Sequence, residues 1–404
     1  MKLINQFKKR LNRPDAYVYF IAVVLFFQLF DFSIGSLSLG LFSAFCLLNA
    51  TFSKPKLNTQ LLFPIIYFLV IVVSLLLSYD KETFFLKFQQ SLPFLFVPIS
   101  FAYINYKSRV AVEKTFKVLA NALSIYVVIL GIYAFFRYQF SQDSTVFFYH
   151  EFSSLFDVNA IYLSSALFLS FVFLIDYKDK SRFDYLSLIL IFLAIILLSS
   201  KLIIFLLISV SFYHGIVNLK SQKLKISFVF LTIIFSLFLI KNTKIGDRIN
   251  LEYKSNYQEV LTSDKFSKTY LWTGSSIRLF QGRVFWELLQ RDKKYFFGYG
   301  FNSSQERIKS KHIQYDLYPG FYNYNFHNQY LQTTAELGLI GLFTLGIMFY
   351  SFFSYALKSK LLWPLMIGIS FLILFLTESY LVRQRGIVYF LFYYCVIINQ
   401  VNSK

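Results

Sequence analysis

Charge is scarce in this sequence of 404 residues: Asp, Glu, Lys and Arg together make up 15% of it. Soluble domains carry about 25% charged residues, so a soluble enzyme, a disordered chain and a soluble nucleic-acid-binding protein are excluded. Apolar residues are abundant instead. They form 56% of the chain, 21% of the chain is aromatic, and the mean hydropathy is +0.54. This composition is that of a polytopic membrane protein.

Cysteine, proline and glycine-rich motifs are scarce too. The two cysteines, Cys46 and Cys395, both lie inside apolar runs, which excludes a disulfide framework or a cysteine zinc site and favours simple apolar packing. There are seven prolines, and the chain lacks the two related halves with paired helix interruptions that are typical of secondary transporters. No glycine-rich loop has the spacing of a nucleotide-binding motif.

Twelve apolar segments are long enough to cross a bilayer, which takes about 17–25 residues. They are predicted at 16–33, 34–52, 60–79, 86–105, 117–140, 158–176, 183–200, 202–219, 224–241, 329–357, 361–379 and 385–401. Because no water inside the bilayer can pair with backbone groups, each segment must be a helix. The predicted fold class is therefore an all-α polytopic integral membrane protein with about 12 transmembrane helices and one large external loop.

Basic residues in the short connections set the orientation, because they concentrate on the cytoplasmic side of a membrane. Starting from the basic N-terminus, alternate connections place 20 Lys and Arg on that side and six on the other. The N-terminus is therefore predicted in the cytoplasm, and most of the net charge of +19 has this origin rather than a nucleic-acid partner. The six outer residues are Lys81, Lys87, Arg137, Lys201, Arg383 and Arg385.

One connection, residues 242–328, is far longer than the others. Nine predicted spans precede it, so it lies on the side opposite the N-terminus, which is the periplasm in a cell with two membranes. A loop of this length in a compact protein is usually functional. The predicted organisation therefore has three parts. A nine-helix transmembrane region covers 1–241, a large extracytoplasmic loop with the active-site residues covers 242–328, and three C-terminal transmembrane helices cover 329–404.

The long loop and its flanks carry short motifs in a fixed order. In chain order they are Ser199-Ser200-Lys201, Ser275-Ser276-Ile277-Arg278, Trp286, Gly298-Tyr299-Gly300-Phe301, His327-Asn328-Gln329-Tyr330-Leu331 and Ala335-Glu336-Leu337-Gly338. This series resembles the O-antigen ligase and O-antigen polymerase family of bacterial surface-polysaccharide enzymes. One further family motif, His-Pro-Asn, is matched only loosely by Asp157-Val158-Asn159. The first 150 residues match the family only as a row of spans.

The resemblance implies a GT-C-like fold and a metal-independent glycosyl transfer that uses no cofactor. A glycan linked through diphosphate to a polyprenol would move, with inversion at the sugar carbon, onto the hydroxyl of a lipid-linked repeat unit or of lipid A-core. The implied location is the cell inner membrane, multi-pass, with the active site facing the periplasm. The partners are then the donor, the acceptor and the lipid bilayer, and the oligomeric state stays open.

Such a reaction needs a base for the acceptor proton and cations for the diphosphate. His327 is the candidate base, because an imidazole titrates near neutral pH and this one lies in the His-Asn motif at a predicted helix entry. Arg278 is the first candidate for the diphosphate clamp, since a planar guanidinium binds phosphate through two N–H groups. Arg283 offers a competing alignment and remains a second candidate. An ordinary loop histidine and solvated loop arginines are the plainer alternatives.

Five more residues are expected at the site: Lys201 as a further diphosphate-binding residue, and Asn328, Glu336, Arg383 and Arg385 as supporting residues. Lys201 stands at the predicted outer turn between two apolar helices, where either a snorkelled side chain or a bound anion would explain it. Asn328 belongs to the same motif as His327. Glu336 follows His327 by nine residues, which is about 900° of helix, so it should face away from His327 and act at the helix entry instead.

Arg383 and Arg385 lie in the predicted outer turn between the last two spans, against the charge bias. The plainer expectation is that one of them forms an ion pair with Glu378, at the end of the eleventh span. The functional alternative is a second contact with phosphate or sugar.

The leading hypothesis is thus a membrane glycan polymerase or ligase, and the alternative from another class is a secondary transporter or lipid-linked glycan flippase. Twelve spans suit both. The transporter alternative is weakened by the missing internal symmetry and by the nine-to-three division of the spans around one loop. Ligase, polymerase and protein O-glycosylation are not separated by these motifs, because the motifs concern the donor.

Overall fold

The computed structural model describes residues 14–50, 58–78, 84–104, 109–242 and 244–401, and these residues are helical almost throughout, with no strand among them. In chain order the main helices are α1 (Pro14–Phe27), α2 (Phe32–Ala50), α3 (Leu62–Leu77), α4 (Phe84–Ser91), α5 (Pro93–Tyr103), α6 (Arg109–Ser141), α7 (Ala160–Asp176), α8 (Arg182–Leu197), α9 (Lys201–Asn218), α10 (Gln222–Asn242), α11 (Lys244–Tyr253), α12 (Tyr257–Thr262), α13 (Gly274–Asp292), α14 (Gln305–Gln314), α15 (Gln329–Ser359), α16 (Leu362–Thr377) and α17 (Gln384–Val401). Single helical turns lie at Tyr149–Phe152, Thr59–Leu61, Ser144–Phe147, Ser154–Phe156, Pro319–Phe321 and Tyr380–Val382.

Each segment predicted as a span is mainly helical over its described residues, with two changes. The first, 16–33, is helical only to Phe27, and α2 already begins at Phe32. The fourth, 86–105, is divided into α4 and α5 at Leu92, because Pro93 has no N–H and occupies the first position of a new helix. Four described helices are long and apolar enough to cross a membrane, namely Thr59–Leu77, Val110–Ser141, Lys201–Asn218 and Gln329–Ser359. Four shorter apolar ones are Ala16–Phe27, Phe32–Leu48, Ala160–Asp176 and Leu362–Thr377. This is a helical membrane protein, and the count of twelve spans stays a prediction.

The centre of the helical bundle is α17. Its residues 387–398 are all buried, because α17 packs against α1, α2, α5, α6 and α15 at once. A helix that is apolar all round is expected to be buried on every side. Cys395 lies in this stretch, and Cys46 is buried in α2, so both cysteines pack as small apolar side chains.

Residues between α12 and the start of α15 have a hydrophobic cluster of their own. Phe280 and Val284 of α13 lie at its centre, with Ile308 of α14, Leu317 and Phe326 around them. The long polar segment of the sequence is therefore a small helical unit rather than an open loop. It contacts the membrane helices through α15, which continues directly from it.

Helix α15 is broken by Gly338, whose φ of 67° and ψ of −166° are not helical. The segment 295–300 crosses the break and pairs with the freed backbone groups: Tyr299 N donates to Ala335 O at 2.8 Å, and Leu339 N donates to Tyr295 O at 2.8 Å. Gly300 N also donates to the Glu336 carbonyl at 2.9 Å. The Gly-Tyr-Gly motif thus provides the hydrogen bonds that the break removes from the helix.

Candidate active site

His327 and Asn328 form the entry to α15. Asn328 is the N-cap, accepting from Leu331 N at 3.0 Å, and its side-chain amide donates to Leu376 O at 3.1 Å. His327 has a φ of 48°, in the left-handed region that non-glycine residues rarely occupy, and its N–H donates to Asn325 Oδ1 at 2.9 Å. Uncommon backbone conformations of this kind cluster at functional sites. The cap at Asn328 and the turn at Asn325 fix the direction of the imidazole.

The imidazole of His327 has a carboxylate beside it. Its Nδ1 lies 3.6 Å from Glu378 Oε2, and the ring of Tyr324 packs edge-on at 5.0 Å. Both ring nitrogens are buried and form no hydrogen bond with the described residues. Leaving buried polar atoms unpaired costs about 1–3 kcal/mol, and such atoms are often explained by a catalytic role.

Arg278 binds the same carboxylate from the other side. It lies one turn into α13, a helix that begins with a capping box between Thr273 and Ser276. Its Nη2 donates to Glu378 Oε1 at 2.7 Å and its Nε to Thr377 O at 2.8 Å. Its Nη1 donates to the Gly274 carbonyl at 2.8 Å, so three of its five N–H groups are used.

Lys201, the first residue of α9, forms an ion pair with Glu252 of α11. The second oxygen of Glu252 accepts from Ser275 N at 3.3 Å. Burial raises the pKa of Glu252, but hydrogen bonds from Lys201 and Thr273 outweigh it and lower the pKa below its usual value. Glu252 is therefore a carboxylate, and it holds the lysine at the start of α13.

Gly274 shows how close these groups lie. A Cβ at this position would be 3.2 Å from Arg278 Nη1, 3.5 Å from Glu252 Oε1 and 3.8 Å from Lys201 Nζ. The fold therefore brings Lys201, Arg278 and His327 together, with Glu252 and Glu378 between them. We call these five residues the central cluster.

Arg283 lies outside the central cluster. Its guanidinium donates to Glu287, to the carbonyls of Val260 and Ser263, and to the Tyr315 hydroxyl, over whose ring it stacks at 4.6 Å. Burial raises the pKa of Glu287, but ion pairing and hydrogen bonding outweigh burial and lower it. Arg283 holds the small helical unit together and does not reach the residues around Glu378.

Glu336 is also placed elsewhere, as its helical spacing from His327 indicates. It is buried, and its Oε1 accepts from Gln332 Nε2 at 2.6 Å and from Ser304 Oγ at 2.9 Å. Ser304 follows the segment 295–300 and is the N-cap residue of α14. Glu336 therefore ties the start of α14 to the first half of α15.

The expected ion pair between Glu378 and Arg383 or Arg385 is replaced by the one with Arg278. Arg383 is exposed, and Arg385 stacks over the ring of Tyr162 at 5.3 Å. The sequence expectation assumed that a carboxylate pairs with the nearest basic residues in the chain. In the fold, the end of α16 meets α13, which brings a residue one hundred positions away closer than its sequence neighbours.

Two contributors to the site have no signal in the sequence, and a third has a signal that points to the wrong partner. Glu378 is an acid at the end of an apolar span, which indicates function, but the sequence favours Arg383 or Arg385 as its partner. Glu252 has no motif around it. Arg248 donates to Ser199 O at 2.8 Å and stacks over Tyr149 at 4.8 Å, which adds a cation beside the Lys201 turn. The last two are found only through tertiary contacts.

Among the described residues no group of three or more His, Cys, Asp and Glu side chains could hold a metal ion. Residues 186–346, about two-fifths of the chain, match the family model described as O-antigen ligase. The match confirms the resemblance predicted from the motifs. It includes Lys201, Arg278 and His327 and ends before Glu378. The chain has no significant match among curated proteins.

Proposed function

We propose that this protein is a membrane glycosyltransferase that moves a polyprenyl-diphosphate-linked glycan onto an acceptor hydroxyl in surface-polysaccharide synthesis. The family match supports a membrane glycan ligase or polymerase role. The acceptor is then a lipid-linked repeat unit or lipid A-core, and the reaction is metal-independent and inverting. The site faces the periplasm in this proposal, in keeping with the charge bias of the connections.

One observation carries the proposal. Arg278 and His327, which come from different helices, approach the two oxygens of one carboxylate, Glu378, at 2.7 Å and 3.6 Å. A cation for the leaving group and a base for the attacking group are the two functions that glycosyl transfer from a diphosphate requires. Transport of the same lipid requires neither a base nor an imidazole with unpaired ring nitrogens beside a carboxylate.

The chemistry assigns one step to each group. The acceptor oxygen attacks the sugar carbon that carries the diphosphate, and the bond from that carbon to the diphosphate oxygen breaks, with its electron pair leaving on the diphosphate. The acceptor proton passes to His327 Nε2. Glu378, beside Nδ1, stabilises the imidazolium that forms, as a carboxylate does in other His–carboxylate pairs. Arg278 and Lys201 stabilise the charge that develops on the departing oxygen.

The charges around the site explain how substrate could engage it. Without substrate, Arg278 and Lys201 are balanced by Glu378 and Glu252. A diphosphate carries more negative charge than one carboxylate and fits the guanidinium fork through two parallel hydrogen bonds. Its binding would take Arg278 from Glu378 and leave this carboxylate to His327 alone. Donor binding would thereby prepare the base.

The test is a double-mutant cycle on His327→Ala and Glu378→Gln, scored by glycosidic-bond formation with purified protein in liposomes. Each single change should lower the transfer rate by about 10²-fold or more, because the proton acceptor or its orienting carboxylate is lost. If the two act as a pair, the double variant should be no slower than His327→Ala. His214→Ala, a histidine change on α9, is the control and should transfer normally.

Full transfer by a correctly inserted His327→Ala variant would overturn the assignment of the base. Movement of the lipid-linked glycan across the bilayer without any new glycosidic bond would establish the transporter alternative instead.

A further inference from the structure

A second feature of the fold lies outside the central cluster. A cavity of about 380 Å³ lies between α2 and the α4–α5 pair, and none of its lining residues belongs to the central cluster. One wall consists of the small side chains of Ser36, Gly40, Ser43 and Ala44, which share a face of α2 because they are three or four residues apart. The opposite wall includes Phe96. We call this cavity the α2–α5 groove.

Gly40 is the floor of the α2–α5 groove. A Cβ at Gly40 would have no neighbouring atom within 4 Å. Open space therefore remains beside Gly40, although α2 and α5 pack against each other elsewhere along their length. An open apolar slot on a membrane helix accepts an aliphatic chain.

The groove has a polar end at the start of α17. Gln384 lines the groove there and accepts a hydrogen bond from Ser36 Oγ at 2.9 Å. The next residue, Arg385, stacks on Tyr162, and its Nη1 is buried without a hydrogen-bond partner in the described part of the chain. The exposed carboxylate of Asp31 lies within electrostatic range of Arg385, but water screens it. A buried guanidinium N–H is best satisfied by an anionic oxygen such as that of a phosphate.

We propose that the α2–α5 groove and Arg385 form a second lipid site, which binds the polyprenyl chain and the diphosphate of a lipid-linked acceptor. This inference rests on the proposed function and narrows it, because a polyprenyl-diphosphate-linked acceptor makes the enzyme a polymerase. A single slot between two helices holds part of one chain, whereas a multi-acyl acceptor would need several slots side by side. Arg385, the residue after the groove-lining Gln384, provides the complementary charge for one headgroup.

The position of Tyr162 relates this site to the first one. Tyr162 lies within electrostatic range of Glu378 and of Arg385. Arg385 stacks on Tyr162 at 5.3 Å, and Glu378, the partner of Arg278, acts on the same tyrosine, so the two anion sites are neighbours. A transfer between two lipid-linked glycans requires two diphosphate sites that serve a common reaction centre. The first site is assigned to the donor because it contains His327.

The experiment uses a polyprenyl diphosphate with a diazirine in its chain, irradiated with the full-length protein in phosphatidylcholine liposomes, followed by peptide mapping. Label is expected on α2 and α5. Gly40→Leu fills the open space without a clash, and leucine favours helix over glycine, so this variant should insert normally. It should reduce labelling of α2 and α5 by roughly tenfold, because the chain and the new side chain cannot share the groove.

Gly131→Leu is the matched control, since Gly131 of α6 also has open space at its Cβ position and lies outside the groove. It should label as the wild type. A second probe is the polyprenol that carries the same diazirine but no diphosphate. Arg385→Gln should reduce labelling by the diphosphate probe and leave labelling by this uncharged probe unchanged. Excess unlabelled polyprenyl diphosphate should compete, whereas phosphatidylglycerol and lipid A at the same concentration should not.

Unchanged labelling of Gly40→Leu overturns the proposal. Equal competition by phosphatidylglycerol would show a groove for bilayer lipid, and competition by lipid A would show a ligase acceptor, so either result also overturns it. Photolabelling of the groove requires no catalysis, so the His327→Ala variant should be labelled like the wild type. The two proposals therefore fail in different assays: the proposed function fails if His327→Ala still transfers glycan, and the groove proposal fails on the labelling pattern.

Discussion

Arg278 and Arg283 are five residues apart on α13 and have different partners. Arg278 contacts Glu378, whereas Arg283 binds Glu287 and Tyr315 in the interior of the small helical unit. The sequence alone left both as candidates for the diphosphate clamp. Five residues correspond to about 500° of helix, so the two side chains point to different faces, and packing decides which face meets α16.

This difference predicts opposite outcomes for the same conservative change. Arg278→Lys should lower the transfer rate of the folded fraction by about 10²-fold, because a point charge cannot replace the two-pronged guanidinium contact. Arg283→Lys should keep the transfer rate of the folded fraction and lower the unfolding temperature, because contacts with two carbonyls and a hydroxyl are lost. Transfer assays and thermal unfolding on both variants check this. A slow Arg283→Lys enzyme of normal stability would contradict it.

His312 shows that a histidine in this unit can be purely structural. It is fully buried, with Nε2 3.0 Å from Gln281 Nε2 and Nδ1 2.9 Å from Phe321 O. Burial lowers the pKa of His312 from 6.5 to about 4, because an imidazolium would lose its hydration. The imidazole is therefore neutral in the folded protein at neutral pH.

The pH dependence of stability follows from this pKa. Between pH 6.5 and 4 the unfolded chain binds a proton at His312 that the folded chain does not, so the free energy of unfolding falls as the pH falls. The loss should be on the order of 1 kcal/mol per pH unit. Hydrogen exchange of peptides from α13 and α14 at pH 7 and pH 5, corrected for intrinsic rates, measures it. His312→Gln should remove most of this dependence; an unchanged slope would argue against the assignment.

At the scale of elements, helix positions followed from apolar length, but the break in α15 did not. A glycine in an apolar run is compatible with a straight helix, and the apolar pattern around Gly338 predicts an unbroken tenth span over 329–357. The break is stabilised by the segment 295–300, about 40 residues earlier in the chain, through backbone hydrogen bonds. No property of the α15 sequence alone specifies those bonds.

The break predicts a strong effect of a single methyl group. In Gly338→Ala the new Cβ would lie 2.0 Å from Phe296 O at a φ of 67°, so the variant should lose more than about 3 kcal/mol of stability. Gly346→Ala in the same helix is the control, because nothing lies within 4 Å of its Cβ position. It should be neutral or stabilising by up to about 1 kcal/mol. Thermal unfolding in detergent compares the two, and equal midpoints would show that the break is dispensable.

At the scale of the molecule, contacts of the small helical unit agree with the predicted sidedness. Its Ser303 accepts a hydrogen bond at 3.0 Å from Lys87 in the first turn of α4, beside the connection between the third and fourth predicted spans. Arg248 reaches Ser199, and Arg278 reaches Glu378, in two further connections. All three connections are ones that the charge bias assigns to the outside.

Sidedness can be measured with cysteine variants in a background in which Cys46 and Cys395 are replaced by alanine. Lys268→Cys, in the long segment, should react with an impermeant maleimide in right-side-out vesicles. Asp179→Cys, in a short basic connection, should react only after permeabilisation, because Lys and Arg keep such connections in the cytoplasm. The reverse pattern would place the active site in the cytosol and contradict the proposed function.

The sequence by itself determined the properties that depend on local composition. Apolar length fixed where helices form, the distribution of Lys and Arg predicts which connections share a side, and ordered motifs indicated the family and the residues Lys201, Arg278 and His327. Only the tertiary structure decided that Glu378 bridges Arg278 and His327, that Arg283 is structural, and that α15 breaks at Gly338. These are pairings between segments far apart in the chain, and they depend on how α13, α15 and α16 pack, which no local pattern of residues specifies.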